Sequence, residues 1–229
     1  MARGRPALTV VIPALNEAAA LPRTLAALAP LRARGCEVIV VDGGSRDATV
    51  ALASRGADRV LAASRGRGAQ LAAGVAAARG PVVWMLHADT LPPPHADRLI
   101  LAALADGRRV WGRFDVRLEG AHPLLRVVER LMNLRSRLTG IATGDQGIFA
   151  RAEALAHIGG VPAQPLMEDV ELSRRLKRLS RPACLRACVR TSARRWLERG
   201  VLRTILLMWR LRLAYFLGAS PEALARRYG

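Results

Sequence analysis

The sequence is poor in lysine, aromatic residues and cysteine, and each shortage excludes a class of protein. Lys177 is the single lysine, so almost all of the 36 basic residues are arginine. Aromatic residues make up 4% of the chain, too few to alternate with basic residues as in binding sites for single-stranded nucleic acid. Three cysteines are too few, and odd in number, for a disulfide-stabilised fold. We therefore expect reduced, structural cysteines and no nucleic-acid partner.

Long apolar runs are also missing. No run of about 18 apolar residues occurs, so the sequence predicts no transmembrane helix. The basic start is followed by a short apolar stretch that Pro13 interrupts, which makes a poor secretory signal. With 51% hydrophobic and 24% charged residues over 229 positions, the chain reads as one globular α/β domain with a short appendage. We expect a cytoplasmic protein.

Basic residues outnumber acidic ones by 36 to 18, a formal net charge of +18. Two explanations stay open, namely the codon bias of a GC-rich genome toward arginine, or an anionic partner. The candidate partners are nucleotide phosphates, anionic lipid and nucleic acid, and charge alone does not choose among them. The arginines are dispersed and aromatic residues are scarce, which argues against nucleic acid.

The first half of the chain alternates apolar runs with helical patterns. Strands are predicted at residues 7–12, 37–41, 59–61, 82–86 and 110–116, and helices at residues 21–31, 48–53, 69–78 and 95–105. Strands separated by helices indicate βαβ units and a mostly parallel sheet with helices on both faces. Ligands of such sheets bind beyond the carboxyl ends of the strands, where the polar clusters of this sequence occur.

The second half is less regular. A 3.6-residue period predicts a helix at residues 123–139, with leucine, valine and methionine opposite a polar face. That polar face consists of Arg126, Glu129, Arg130, Asn133 and Arg137. A helix at residues 168–178 is acidic at its start and basic at its end, as the helix dipole favours. Residues 197–217 are apolar, with Arg199, Arg203 and Arg210 aligned on one side.

These two C-terminal segments predict either peripheral contact with an anionic membrane or helices that pack on the sheet. Helical spacing also places Arg135 and Arg212 on the apolar sides of their helices, where an unpaired charge is costly. Two explanations stay open for this pair. The arginines face a cleft and meet an anionic group, or they pair with acids such as Asp145 or Glu171.

Polar residues follow the first two predicted strands. Those after the first are Pro13, Asn16 and Glu17, and those after the second are Asp42, Gly44, Ser45 and Asp47. Glycines after an acid let the backbone approach a flat ring or a ribose closely, and Asp42 can accept hydrogen bonds from a base. The alternative is a tight turn in which Asp47 caps the next helix.

Two further clusters suit a diphosphate and a metal ion. Residues 65–70, Arg-Gly-Arg-Gly-Ala-Gln, follow the third strand and open a helix, where arginines and free helix N–H groups can bind phosphate. Asp89 follows the fourth strand, where a carboxylate can hold a divalent cation, although it can also cap a helix. His87 can be a metal ligand, a hydrogen-bond donor to substrate or a packed histidine.

Glu168 and Asp169 begin the helix at residues 168–178. Side chains of adjacent helical residues diverge by about 100°, so we expect only one of the two to point into a cleft. A carboxylate at a cleft edge can act as a general base. The alternative is that both acids only satisfy the helix N-terminus.

In this order along one chain, the clusters resemble family 2 glycosyltransferases of the GT-A fold. The resemblance covers about residues 7–178, and residues 192–200 resemble a subgroup labelled arsenosugar-biosynthesis glycosyltransferases. It implies a GT-A domain at residues 1–190 with a C-terminal amphipathic helical extension at residues 191–229. It also implies transfer of a sugar, with inversion, from a nucleoside-diphosphate sugar of UDP or GDP type to an acceptor, here expected to be a hydroxyl.

The resemblance also implies roles for individual residues. The nucleotide would contact Pro13, Asn16, Glu17, Asp42, Gly44, Ser45, Asp47 and Arg65. The metal motif of the family is Asp-x-Asp, and here only its last acid, Asp89, is present to contact Mn²⁺ or Mg²⁺, because His87 replaces the first. Asp169 would be the catalytic base. The remaining substrate contacts would be His87, Asp145, Gln146, Glu168, Arg195 and Trp196.

Two other functions remain as alternatives. A sugar-nucleotide nucleotidyltransferase needs a glycine-rich loop with a basic residue directly after the first strand, where this chain has Pro-Ala-Leu-Asn-Glu at residues 13–17. A basic nucleic-acid-binding protein would keep its binding to DNA at moderate salt. Processive family members carry transmembrane helices, so we expect a single transfer here.

Overall fold

One mixed sheet forms the centre of the computed structural model, which describes residues 4–228 except the side chains of Arg195 and Tyr228. Its strands are β1 (Thr9–Ala14), β2 (Glu37–Asp42), β3 (Arg59–Ala62), β4 (Val82–Met85), β5 (Thr90–Leu91), β6 (Trp111–Glu119), β7 (Phe149–Arg151) and β8 (Ala183–Ser192). They lie in the order β3-β2-β1-β4-β7-β6-β8-β5.

Helices connect and cover these strands. They are α1 (Leu21–Ala33), α2 (Thr49–Gly56), α3 (Arg67–Ala77), α4 (Ala96–Leu104), α5 (Pro123–Thr139), α6 (Ala152–His157), α7 (Glu168–Lys177), α8 (Arg194–Glu198), α9 (Val201–Phe216) and α10 (Pro221–Tyr228). A short 3₁₀ turn, Gly144–Gln146, lies between α5 and β7. Every helix and strand predicted in the first half of the chain is present, with shifted ends.

The first half has the predicted βαβ architecture. Strand β1 pairs in parallel with β2 and β4, and β2 pairs in parallel with β3. Every residue of β1 and β2 is buried, which explains their continuous apolar sequence. Alternate residues of β1 join different cores, Val10 and Ile12 with α1 and α4 on one face, and Val11 with α3 and α7 on the other. The predicted α/β fold with helices on both faces is confirmed.

The second half makes the sheet mixed. Strand β7 runs antiparallel to β4 and β6, β5 runs antiparallel to β8, and β8 runs parallel to β6. The sequence pattern did not reveal β5, β7 or β8. The pairing of β6 with β8 is also irregular, because its register shifts between Phe114 and Asp115. The sheet is therefore less parallel than predicted beyond β4.

Helix α5 turns its polar face toward the sheet. On one edge, β6 pairs with β7 only at Trp111 and Gly112. Further along that strand, Asn133 bonds both backbone groups of Val116, accepting from its N–H at 2.9 Å and donating to its carbonyl at 3.1 Å. Glu129 accepts the N–H of Leu118. Side chains of α5 thus replace a missing neighbour strand, because buried backbone groups need partners.

Part of the apolar side of α5 consequently faces outward, while Leu125, Val128 and Met132 pack in the core. Its exposed residues are Val127, Leu131, Leu134 and Leu138, with exposed fractions between 49% and 68%. The membrane hypothesis required the basic face to point away from the protein. Instead Arg137 ion-pairs with Asp115 and Arg126 donates to the carbonyl of Leu118, so most of that face is used internally. The surface that α5 presents is apolar.

The C-terminal helices cover the start of α7. The apolar segment at residues 197–217 is broken at Gly200, whose φ of 83° ends α8 before α9 begins. On the inner side of α9, Leu211 packs with Leu224 of α10 against Met167 and Val170. The outer side leaves five large residues exposed, Leu202, Leu206, Trp209, Leu213 and Phe216. Within the described residues, no helix has the length and apolar character needed to span a membrane.

Candidate active site

A cleft of about 500 Å³ opens at the carboxyl ends of β1 and β4 and extends beneath α9. It brings together predicted residues from six separate segments of the chain. Predicted residues that line it are Pro13, Glu17, Arg65, His87, Asp89, Asp145, Glu168, Asp169 and Trp196. The C-terminal helices add a side that the sequence did not predict, including Thr204, Met208, Leu211 and Arg212.

The loop after β2 is a tight turn built on its own aspartate. The carboxylate of Asp42 accepts the backbone N–H groups of Gly44 at 2.9 Å and Ser45 at 3.0 Å. Gly44 has a φ of 91°, which glycine adopts without steric cost. Asp42, Gly44 and Ser45 do not line the cleft in the described structure. In this arrangement Asp42 holds the turn rather than facing the cleft.

Asn16 and Asp47 join the loops after β1 and β2. Asn16, with a φ of 53°, accepts the N–H of Arg46 at 2.8 Å, while its own N–H donates to Ser45. Asp47 accepts from the side chain and the N–H of Thr49, and these hydrogen bonds lower the pKa of Asp47. Neither residue lines the cleft. Asn16 and Asp47 instead brace these loops, and Pro13 and Glu17 are the residues there that line the cleft.

Gln70 was missed by the sequence analysis, although it belongs to the Arg-Gly-Arg-Gly-Ala-Gln segment. Its buried side-chain amide donates to the carbonyl of Ala14 at 2.7 Å and to that of Val41 at 2.8 Å. It also lines the cleft. Gln70 therefore ties together the carboxyl ends of β1 and β2, which fixes the floor of the cleft.

Arg67, at the start of α3, lies at the centre of the charged residues. Its guanidinium forms an ion pair with Glu168, lies 3.8 Å from Asp169, and approaches Nε2 of His87 at 3.4 Å. Burial alone would lower the pKa of Arg67, but the charges of Glu168 and Asp169 outweigh burial and raise it. The sequence pointed to two arginines and favoured Arg65, which lines the cleft. Arg67 is the one that contacts the acids.

His87 is fixed by protein groups on both ring nitrogens. Nδ1 lies 3.3 Å from the carboxylate of Asp145, and Nε2 faces Arg67, which can only donate. We therefore assign the ring proton to Nδ1. A Cβ at Gly144 would lie 2.5 Å from Nε2, so this position accommodates the ring only as glycine. Of the three roles open to His87, metal ligation fits least, because both nitrogens are occupied.

Asp169 is held by backbone groups at the start of α7. Its two carboxylate oxygens accept the N–H groups of Gly144 at 2.8 Å and Val170 at 2.7 Å. The helix begins after Met167, whose φ of 63° is rare for a residue with a side chain. Glu168 also lines the cleft, so the expectation that only one of the two acids would do so is wrong. Arg67 draws both toward itself.

Asp89 is the carboxylate available for a metal ion. One of its oxygens lies 3.5 Å from Oγ1 of Thr191, and the residue lines the cleft. The described residues include no group of three or more histidine, cysteine, aspartate or glutamate side chains able to hold a metal ion. A hard divalent cation bound through one carboxylate takes its other ligands from substrate phosphates and water. Asp89 fits a cation that binds together with a diphosphate.

Three predicted substrate contacts have different outcomes. Gln146 is completely buried, and its side chain bonds Ser136 at 3.0 Å and the N–H of Thr143 at 3.2 Å. It positions the loop from beneath and does not line the cleft. Trp196 does line it. The side chain of Arg195 lies outside the described residues.

Arg135 and Arg212 have no acidic partner within ion-pair distance among the described residues. The two acids considered for them are engaged elsewhere, because Asp145 meets His87 while Glu171 bonds Arg174, Arg175 and Tyr215. Burial, and then the charge of Arg212, lower the pKa of Arg135 to about 10. Burial also lowers the pKa of Arg212. Neither arginine forms an ion pair with Asp145 or Glu171 within the described part of the chain, although the charge of Asp145 acts on both.

Known sequences place this cleft in a family. A model described as Glycosyl transferase family 2 matches residues 9–155, and the chain belongs to that family. An undecaprenyl-phosphate 4-deoxy-4-formamido-L-arabinose transferase of Pseudomonas paraeruginosa is 36% identical over 159 residues, 63% of this chain and 46% of the relative. An uncharacterized glycosyltransferase of Mycobacterium tuberculosis is 43% identical over 84 residues, 36% of this chain and 37% of the relative. The matches span less than half of these relatives.

Solved structures confirm the GT-A fold. S. aureus TarS has a TM-score of 0.67 at 17% identity, covering 81% of this chain and 60% of that chain. Glucosyl-3-phosphoglycerate synthase of Mycobacterium tuberculosis, in complex with Mn²⁺, UDP and phosphoglyceric acid, has a TM-score of 0.60 at 24% identity, covering 81% and 69%. At these identities the likeness shows the fold alone. The family itself is shown by the match of residues 9–155.

Proposed function

We propose that the protein transfers one sugar, with inversion, from a nucleoside-diphosphate sugar to an acceptor hydroxyl, assisted by Mn²⁺ or Mg²⁺. The observation that carries this proposal is the meeting of Asp89, Arg67 and Asp169 in one cleft at the carboxyl ends of parallel strands. Such a cleft offers a carboxylate for a cation, positive charge for phosphate and a second carboxylate for a proton. In support, related folds were solved with UDP-GlcNAc and with UDP and Mn²⁺.

The donor is proposed to bind between the loops after β1 and β2 and the start of α3. Pro13 and Glu17 line that end of the cleft, and Asp42, Gly44 and Ser45 keep the neighbouring turn rigid. We expect a UDP or GDP donor whose diphosphate approaches Arg65. A divalent cation held by Asp89 would neutralise charge that develops on the departing diphosphate.

Asp169 is proposed to accept the acceptor's proton. As the acceptor oxygen forms its bond with the anomeric carbon, the hydroxyl proton passes to the Asp169 carboxylate. The bond from that carbon to the diphosphate breaks, and its electron pair leaves with the nucleoside diphosphate. Each carboxylate oxygen accepts one backbone N–H and retains a further lone pair for this proton. Direct displacement inverts the carbon.

Peripheral contact with an anionic membrane is proposed for the outer sides of α5 and α9, which touch each other. Each presents a stripe of exposed leucines, and exposed Arg130, Arg203 and Arg210 lie on the same helices. Apolar stripes flanked by basic residues are typical of interfacial helices. The name of the Pseudomonas relative includes undecaprenyl phosphate, which is consistent with a membrane-associated protein. The arsenosugar substrate stays a prediction from residues 192–200.

The experiment is a thermal-shift series with UDP and GDP, each with and without Mn²⁺. A ligand that binds only the folded protein must raise its Tm. At 100 times its Kd, such a ligand adds about 2.7 kcal/mol to the free energy of unfolding. We expect one nucleotide to raise the Tm with Mn²⁺, and Asp89→Ala to abolish the metal-dependent part. Asp106→Ala, at an exposed aspartate away from the cleft, is the control. No nucleotide response in any combination would contradict the proposed function.

A further inference from the structure

Arg135 of α5 and Arg212 of α9 are two partly buried cations on helices that touch each other. The helices are in contact, and the charge of Arg212 contributes to the lowered pKa of Arg135. Nε and Nη2 of Arg135 are buried without a hydrogen-bond partner among the described residues. No acid of the described chain lies within ion-pair distance of either guanidinium, as shown above. Two like charges are thus held near each other, and the charges of Asp169 and Asp145 offset them only in part.

Such an arrangement is costly, and elsewhere the same chain avoids it. Arg113 is completely buried, but it ion-pairs with Asp115 and donates to the carbonyl of Asn133. Burying an unpaired charge costs several kcal/mol, so a purely structural pair would be expected to have such partners. Arg135, with a pKa of about 10, remains cationic at neutral pH. The missing partner is therefore an anion that the chain does not itself supply.

The position of the pair indicates which end of the cleft that anion occupies. Arg212 lines the cleft, and its pKa is raised by the charges of Asp169 and Asp145 against the effect of burial. The pair thus lies on the side of the proposed base, whereas the diphosphate is proposed to approach Asp89 and Arg65. Helical spacing also places Arg135 beside the exposed Leu131 and Leu138. The anion would sit where the cleft meets the outward apolar surface.

We propose that Arg135 and Arg212 bind a phosphate monoester group carried by the acceptor. Calling that ligand the acceptor rests on the proposed function, but the anion site itself does not. A phosphate dianion offsets both positive charges, whereas a carboxylate offsets only one. Guanidinium groups donate paired N–H bonds to phosphate oxygens, and two such groups can share one phosphate.

Two sources of this phosphate are distinguishable. A soluble phosphorylated acceptor would bring a separate hydroxyl to Asp169, as in the proposed reaction. A lipid phosphate would sit with its chains on the apolar sides of α5 and α9, and its own phosphate oxygen would attack the sugar. Transfer to a lipid phosphate would therefore support phosphate binding by Arg135 and Arg212. It would overturn the proposal that the acceptor nucleophile is a hydroxyl.

The first experiment measures the Tm of the whole protein with inorganic phosphate and glycerol 3-phosphate, against chloride at equal ionic strength. Arg135→Met and Arg212→Met keep an apolar stem and remove the charge. We expect each to raise the Tm of the ligand-free protein, because an unpaired buried charge is lost, and to weaken phosphate binding about 10-fold or more. Arg130→Met and Arg210→Met remove exposed charges from the same helices and should keep the phosphate response.

The outcomes separate this site from the proposed function. A phosphate response that persists in the double variant Arg135→Met/Arg212→Met, or that chloride reproduces, overturns the proposal. So does a Tm response to UDP with Mn²⁺ that disappears in the double variant, because the arginines would then bind the donor. If wild type responds to phosphate through these arginines but to no nucleotide, the anion site stands and the proposed function fails.

The second experiment identifies the source with phosphatidylcholine vesicles of matched surface charge. One set contains phosphatidic acid, a lipid phosphate monoester, and the other phosphatidylglycerol, a phosphodiester. Preference for phosphatidic acid that is lost in the double variant, but kept in Arg55→Met/Arg98→Met, which removes exposed charges from α2 and α4, supports a lipid source. A Tm response to glycerol 3-phosphate without vesicle preference supports a soluble source. Absence of both in wild type overturns the site.

Discussion

The two ends of the cleft are built in opposite ways. At the end formed by β1 and β2, polar groups satisfy one another, as Asp42 holds its own turn and Asn16 joins two loops. At the end formed by α5 and α9, two nitrogens of Arg135 are buried without a hydrogen-bond partner among the described residues, and leucines face outward. The first end is complete within the chain. The second has unpaired charge and exposed apolar surface, the features that a ligand and a surface would cover.

The contrast has a physical meaning for binding. Loops that are already bonded lose little freedom when a ligand arrives, so the first end is preorganised. At the second end the free protein carries a cost that the bound anion removes, which strengthens binding and weakens stability without it. We therefore expect the two ends of the cleft to respond differently to substitution.

The proposed base, Asp169, lies between the two ends of the cleft. Asp169→Asn removes the proton acceptor while keeping the size of the side chain, so we expect sugar transfer to fall about 10²–10⁴-fold. Nucleotide binding should persist and the Tm should fall only modestly, because the amide oxygen still accepts one of the two backbone N–H groups that Asp169 accepts. Turnover with a candidate donor and acceptor measures this. Glu171→Gln, two residues later on α7 and outside the cleft, is the control. Near-normal transfer by the Asn variant would reject Asp169 as the base.

A paired buried arginine should respond in the opposite sense to Arg135. Asp115→Asn leaves Arg113 buried without its counter-charge, so we expect a loss of about 3 kcal/mol in the free energy of unfolding. Glu119→Gln is matched to it, since Glu119 lies on the same strand and also meets two arginines, Arg23 and Arg190, but more exposed. Its loss should stay below about 1 kcal/mol. Urea unfolding measures both, and equal losses would contradict the distinction.

The outward leucines should matter for membranes and not for folding. Leu134→Glu and Leu213→Glu place charge on the exposed sides of α5 and α9. We expect the double variant to bind anionic vesicles about tenfold or more weakly, since burial of each leucine contributes about 1.5–3 kcal/mol. Its stability should change by about 0.5 kcal/mol or less. Val50→Glu, at an exposed valine of α2, is the control in co-sedimentation at low salt. Unchanged vesicle binding by the double variant would remove the membrane proposal.

The smallest effect concerns acid stability away from the cleft. Asp97 forms two hydrogen bonds with Arg34, which lower the pKa of Asp97 below its usual 3.8. As the pH falls, the Asp97 carboxylate therefore takes up a proton in the unfolded chain before it does so in the folded protein. The ion pair stabilises the fold fully above the pKa of Asp97 in the unfolded chain, and progressively less as the pH falls below it. The stability difference between wild type and Asp97→Asn should shrink as the pH falls from about 5 to below 3.8. A gap that stays constant in urea unfolding would contradict this assignment.

The sequence predicted the first half of the fold because its strands are buried on both faces. Continuous apolar runs such as residues 37–41 are a strong signal, and the loops that follow them carried the polar clusters. Strand β8 gave no such signal, because it is only partly buried and carries arginines. Asp89 could be predicted because it follows the end of a strand, and Glu168 and Asp169 because they begin a helix.

The direction of α5 could not be predicted from its amphipathic pattern. The pattern showed two faces, and the usual rule turns the apolar one inward. Here unpaired backbone groups at Val116 and Leu118 need partners, and Asn133 and Glu129 supply them. The role of Arg67 could not be predicted for the same reason. Its contact with Glu168 depends on the position of the first turn of α7. Both depend on contacts between distant segments.

The leucines on the outer sides of α5 and α9 also determine how the protein behaves at high concentration. Removing apolar surface from water lowers the free energy. In the absence of a bilayer, these leucines can be buried against another copy of the chain. We expect concentrated samples to associate, with an apparent mass that rises with protein concentration and falls when nonionic detergent is added. The exposed side chains of two helices would thus decide the conditions under which the protein can be purified and stored.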